Sequence, residues 1–125
     1  MTVLVVVEDD PDVRFLVETI FSMDSRFRLA AVAESAEAAL ESARASQPGL
    51  FVLDHGLAGA LSGIDAAPRL KELVPQTKII LFTAHAELQA RAEAEPAIDA
   101  FLLKTESTKL LALAQQLTGL GALPS

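Results

Sequence analysis

Leu50-Phe51-Val52-Leu53-Asp54 decides how this chain is read. Four apolar residues run into a single carboxylate, and a glycine-rich loop follows with Gly56, Gly59 and Gly63. A short apolar run bounded by turn signals suits a strand buried on both faces, as in a parallel sheet. Ligands of open parallel sheets bind outside the carboxyl ends of the strands. Asp54 would stand at such an end. The plainer alternative is that Asp54 only closes the strand and opens a turn, a common use of aspartate. The rest of the chain decides between the two.

Upstream, Val3-Leu4-Val5-Val6-Val7 reads as a first buried strand that runs into Glu8-Asp9-Asp10. Asp10 followed by Pro11 starts a helix, with an acceptor at the cap and proline where its missing N–H costs nothing. Val13, Leu16, Val17, Ile20 and Phe21 give that helix one apolar face, and Met23-Asp24-Ser25 ends it. A weaker strand is expected over 27–33. Ser35 then caps a helix with the stripe Ala36, Ala39, Leu40 and Ala43.

Downstream, Ile64, Ala67, Leu70, Leu73 and Val74 mark a third helix. Pro68 suits only a first turn, so the start is expected near 65–67. Residues 78–83 read as a strand ending at Thr83. Residues 86–95 read as a helix with a thin apolar stripe, essentially Leu88 and alanines. Residues 98–103 read as a strand ending at Lys104, and Ser107 as the cap of a last helix bearing Leu110, Leu113, Ala114 and Leu117. The order βαβαβαβαβα predicts a three-layer α/β sandwich. A parallel five-stranded sheet in the flavodoxin-like order 2-1-3-4-5 fits this size.

The chain has 125 residues, room for one domain with a real core. Its 17 acidic residues against 10 basic ones give a net charge of −7, which disfavours phosphate-driven nucleic-acid binding and favours a cation or a basic protein patch. The absence of cysteine excludes disulfides, thiolate metal sites and thiol catalysis. No run approaches the roughly 20 apolar residues of a membrane span, so a cytoplasmic protein is expected.

In a parallel sheet, strand ends at Glu8-Asp9, Asp54, Thr83 and Lys104 share one rim. Two like charges about 4–5 Å apart repel by some 3–4 kcal/mol at an effective dielectric near 20. Three converging carboxylates therefore call for a cation, and hard oxygen ligands suit magnesium. A divalent cation, a lysine and a hydroxyl around one carboxylate would neutralise a transferring phosphoryl group.

Motif and spacing together make the chain resemble the receiver domains of two-component response regulators, over 1–118, with 119–125 as a C-terminal tail. The resemblance rests on Glu8-Asp9, on Asp10-Pro11-Asp12-Val13-Arg14, on Asp54, on Thr83-Ala84 and on Phe101-Leu102-Leu103-Lys104. It implies that Asp54 is the phosphoacceptor. It implies magnesium held by Asp9 and Asp54, by Glu8 through water, and by the backbone carbonyl of Gly56. Thr83 and Lys104 would hold phosphoryl oxygens, and Phe101 would turn inward as Thr83 moves. A histidine kinase or phosphotransfer protein would be the donor. A downstream protein or a receiver dimer would dock on the fourth helix, fifth strand and fifth helix. The resemblance implies a signalling phosphoacceptor rather than an enzyme, with no direct contact to nucleic acid or membrane. No second core follows the last helix, so either a stand-alone receiver or part of a longer regulator is expected.

Three departures stand out. The proline usual after the phosphoacceptor is missing, since Ala58 follows Leu57, and the stretch from Asp54 to Gly63 is one residue longer than the family's usual spacing. Thr105 stands where a cis proline often follows the lysine. The competing readings are weaker. A pseudo-receiver that only binds protein would have no need of the intact carboxylates, Thr83 and Lys104. An acyl-phosphate phosphatase would want an acid at Gly56. A metal hydrolase would need more ligands than His55 and His85. A flavin module would need a phosphate loop after the first strand.

Overall fold

The computed structural model describes residues 1–123. Pro124 and Ser125, the last two residues of the expected tail, lie outside them. Among the described residues, β1 (Thr2–Val7), β2 (Phe27–Ala33), β3 (Leu50–Leu53), β4 (Lys78–Thr83) and β5 (Ala100–Leu103) form one sheet in the order β2-β1-β3-β4-β5, and every pairing is parallel. The helices are α1 (Pro11–Phe21), α2 (Ala36–Ser46), α3 (Gly63–Leu73), α4 (Gln89–Glu93) and α5 (Leu110–Leu117). They cover both faces. On one, Ala39 and Ala43 of α2, Ile64, Ala67 and Leu70 of α3, and Ala92 of α4 pack on Val5, Phe51, Ile79 and Leu81. On the other, Val17, Ile20 and Phe21 of α1 and Leu110 and Ala114 of α5 pack on Leu4, Val6, Val52 and Phe82. Strands buried on both faces are what the unbroken apolar runs require. The flavodoxin-like order expected from the sequence is the observed one.

Caps at Asp10 and Ser35 form as expected: Asp10 Oδ1 accepts from the Asp12 N–H at 2.9 Å and Ser35 Oγ from the Ala38 N–H at 3.1 Å. Four details differ from the sequence reading. Helix α3 begins at Gly63, with Ser62 Oγ accepting from the Asp65 N–H at 3.2 Å, so Pro68 lies inside it. The serine cap sets the start, and one missing bond to Ile64 is tolerated on a side chain that faces solvent. Residues 86–95 form a 3₁₀ turn (Ala86–Leu88) and only five residues of α-helix, of which Ala92 alone is buried. Strand β5 starts at Ala100, because Asp99 is occupied with its side chain: Oδ2 accepts from the Ile79 N–H at 2.8 Å and from Lys71 Nζ at 2.6 Å. Finally, Ser107 caps nothing. Residues Lys104–Lys109 wind as a 3₁₀ segment before α5.

So thin an anchor as Ala92 sets a local stability. Amides of α4 are expected to exchange faster than those of α1, which buries Val17, Ile20 and Phe21. Equal protection of the two helices in a hydrogen-exchange measurement would refute this.

Asp24, read from sequence only as a helix terminator, is fully buried. Its carboxylate accepts from Arg26 Nη2 at 2.8 Å, from the Arg26 N–H at 3.0 Å and from Gln115 Nε2 at 3.0 Å. The Arg26 guanidinium holds this carboxyl well below the usual carboxylate range, against the opposing effect of burial. A depressed folded-state value means stability present above the unfolded pKa and lost as pH falls toward the folded one. The wild type should therefore lose stability below about pH 4. Asp24→Asn should be less stable at neutral pH, with a flatter acid limb. Urea midpoints measured from pH 7 to pH 2 check this, and parallel curves would count against it.

Candidate functional site

Register brings the strand ends together. Val7 pairs with Leu53, Leu53 with Leu81, and Thr83 with Leu103. The residues one step further, Glu8, Asp54 and Lys104, therefore meet on the rim, with Thr83 at the end of β4. The main chain fixes them there: the Glu8 N–H donates to Ala33 O at 2.8 Å and the Asp54 N–H to Val7 O at 3.0 Å.

Glu8 is 3% exposed and Asp54 7%, while Asp9 is open to solvent. Carboxylate oxygens of all three lie within 4.8 Å of one another. Lys104 Nζ sits 2.8 Å from Glu8 Oε1 and 3.0 Å from Asp54 Oδ2. The second Asp54 oxygen accepts from the His55 N–H at 2.7 Å, and the second Glu8 oxygen from the Asp10 N–H at 3.1 Å. Burial pushes the Glu8 carboxyl up, and Lys104 and the Asp10 N–H hold it back in part. For Lys104 burial works against the charge, but hydrogen bonds to Glu8 and Asp54 outweigh it and raise the ammonium above its ordinary value. The lysine is thus a permanent cation between two buried acids. Its reach to Glu8 as well as Asp54 was not legible in the sequence.

Thr83 is buried, and its Oγ1 accepts from the His85 N–H at 3.3 Å. Phe101 is half-buried against the core under α4 and lines a cavity of about 200 Å³ with Ala92, Glu93, Ile98, Asp99 and Ala100. Gly56 is exposed, and nothing lies within 4 Å of where a Cβ would be. The two histidines stand in different surroundings. His85 Nδ1 pairs with Glu87 at 3.2 Å in solvent, whereas His55 Nδ1 is buried without a hydrogen-bond partner. Burial, with the charge of Arg91, lowers the His55 pKa and favours the neutral ring.

The loop after Asp54 is closed at its base by the Gly63 N–H donating to His55 O at 3.0 Å. A Cβ on Gly63 would lie 1.9 Å from Asp54 O, so only glycine permits the approach. The sequence showed this glycine but not its task. The outer part of the loop pairs Ala58 with Ser35, the Ala58 N–H reaching Glu34 O at 3.3 Å. Gly59 turns there with a φ of 90°.

Residues 4–115 match the family model described as the response regulator receiver domain. The chain belongs to that family. Among curated relatives, this receiver is 28% identical over 123 residues to the response regulator protein VraR of Staphylococcus aureus, covering 97% of the chain and 58% of VraR. It is 38% identical over 56 residues to the transcriptional activator protein ExaE of Pseudomonas putida, covering 45% of the chain and 26% of ExaE. The chain thus spans less than two thirds of the length of these relatives. Among solved structures, the receiver resembles the response regulator TrrA of Thermotoga maritima in complex with Mg²⁺-BeF. That match has a TM-score of 0.81 and 26% identity, over 94% of this chain and 99% of TrrA. A LuxR-family two-component response regulator from Aurantimonas sp. SI85-9A1 matches with a TM-score of 0.82 over 98% of this chain and 89% of its own, and its 24% identity makes that a likeness of fold. Among the described residues no helix is long and apolar enough to cross a membrane.

Proposed function

We propose that this receiver accepts a phosphoryl group on Asp54 in a magnesium-dependent reaction and relays a signal by reshaping a protein-binding face. The carrying observation is the rim itself: Glu8, Asp9 and Asp54 with oxygens within 4.8 Å, and Lys104 bonded to two of them. Three carboxylates against one ammonium leave two negative charges, which one divalent cation neutralises. The all-oxygen donor set fits magnesium. Asp9 and Asp54 would hold it directly, Glu8 through water, and the Gly56 carbonyl would add a backbone oxygen. Bound there, it would offset the charge of the phosphoryl oxygens.

The chain's own groups do the rest. An Asp54 carboxylate oxygen attacks phosphorus, an acyl-phosphate bond forms, and the donor's P–N or P–O bond breaks with its electrons leaving on the donor. Lys104 stays charged and meets the phosphoryl oxygens, and Thr83 supplies a hydroxyl donor from the end of β4. Phe101, which lines a cavity under α4, follows Thr83 and changes the surface of α4, β5 and α5. A histidine kinase or phosphotransfer protein supplies the phosphoryl group, and a downstream protein or a second receiver reads that surface. The net charge of −7 supports a domain that does not itself contact nucleic acid, and a cytoplasmic setting suits such a partner set.

Intact-mass measurement after incubation with acetyl phosphate tests the reading. One added phosphate is expected with magnesium and none without it; no uptake in either would overturn it. Magnesium alone should stabilise the folded domain by about 2.7 kcal/mol at a hundredfold excess over Kd, read as a raised thermal midpoint. A midpoint unmoved by millimolar magnesium would argue against a formed site.

A further inference from the structure

The chain does not simply leave α5. Gly119 turns it with a φ of 74°, and the Leu120 N–H reaches back to Gln115 O at 2.9 Å. The Leu120 side chain packs on the core beneath α1 and α5. Arg26 then closes over it: Nη1 donates to Leu120 O at 2.9 Å and Nη2 to Gly121 O at 3.0 Å, while the other edge of the guanidinium grips Asp24. Gln115, in the last turns of α5, donates to the same carboxylate. One planar cation thus joins the end of α1, the start of β2 and the far end of α5.

The opposite end of α5 is built differently. It begins after six residues of 3₁₀ winding, Lys104–Lys109, interrupted by Glu106 at φ −110° and ψ 30°. No side chain caps either segment. Lys104, at the head of this stretch, is held by Glu8 and Asp54.

We propose that Arg26 is a clasp that pins the far end of α5 and the segment after it, with Lys104–Lys109 as a compliant link at the near end. A shift of Lys104 is then taken up in the 3₁₀ segment and does not reach Leu120. The clasp can open on its carbonyl side while Asp24 stays paired, so release strands no buried charge. Opening is therefore local and distinct from unfolding of the sheet. This goes beyond phosphoryl transfer and does not depend on it.

Amide hydrogen exchange of the full chain, without ligand, tests the clasp. In wild type, the Leu120 amide should exchange at least about tenfold more slowly than those of Ser107 and Thr108. Exchange of Leu120 at the free-chain rate would overturn the proposal without any variant. Arg26→Lys keeps a cation for Asp24 but lacks the fork that spans both carbonyls. It should speed Leu120 roughly tenfold and leave Ile80 and Leu81 unchanged. An unchanged Leu120 would show that the glycine turn suffices, and equal acceleration of Leu120 and the sheet would show that no local element exists; either result overturns the proposal. Should Arg26→Lys fail to fold, the double variant Asp24→Asn with Arg26→Gln removes both charges together and is read at the same amides against the same outcomes.

Discussion

Asp54→Asn is expected to abolish phosphoryl uptake from acetyl phosphate, leaving no adduct in intact mass where the wild type carries one. The two side chains have nearly the same shape, and the amide oxygen of asparagine can still accept from the His55 N–H, now at 2.7 Å from Asp54. Lys104 keeps Glu8 as a partner at 2.8 Å, so the rim is not left with an unpaired ammonium. What disappears is the nucleophile, because an amide oxygen does not form a stable acyl phosphate. The effect should thus be near total in chemistry and small in structure. Circular dichroism and the thermal midpoint serve as controls. Equal labelling of the variant would move the acceptor elsewhere, with Asp9 the next carboxylate on the rim.

Gly63→Ala is expected to have the largest effect on stability, about 3 kcal/mol. The added Cβ would lie 1.9 Å from Asp54 O and 2.8 Å from Asp54 C. Both are main-chain atoms of the residue that carries the proposed chemistry, so no flexible side chain can yield. Relief requires β3 and the first turn of α3 to separate, which breaks the bond from the Gly63 N–H to His55 O. Phosphoryl uptake should fall along with stability, since Asp54 moves with its carbonyl. Gly56→Ala is the matched control: nothing lies within 4 Å of the new atom, and a change within about 0.5 kcal/mol is expected. Urea denaturation of the two variants decides. A Gly63→Ala protein as stable as wild type would mean that this close approach is not maintained in solution.

The strands and their order were legible because a buried parallel strand must be apolar on both faces, and four such runs stand out between polar ends. The rim followed from that, since parallel strands put their ends on one side. Long-range side-chain geometry was less legible. That Lys104 bonds Glu8 as well as Asp54 depends on the register of β1, β3, β4 and β5 together. Asp24 looked like a helix terminator because Asp usually is one, and its partner Gln115 lies 91 residues away. Gly63 looked like one more loop glycine because only the folded chain brings it against Asp54. Boundaries failed where two local rules compete. Pro68 argues for a late helix start and Ser62 for an early one, and the cap prevails. Ser107 is a good cap by type, but the chain is already wound tightly behind Lys104.

The loop between Asp54 and Gly63 has its two stems tied to each other, at His55 O and the Gly63 N–H. Its length is therefore uncoupled from the position of the carboxylate. Loop-closure entropy rises by only about 0.6 kcal/mol for each doubling of length. The crest near Ala60 is exposed and lies beyond the Ala58 N–H bond to Glu34 O, so it is a port where extra sequence can be spliced in. A peptide tag or a donor-selective insertion placed there would ride a few residues from the rim without disturbing the scaffold beneath it.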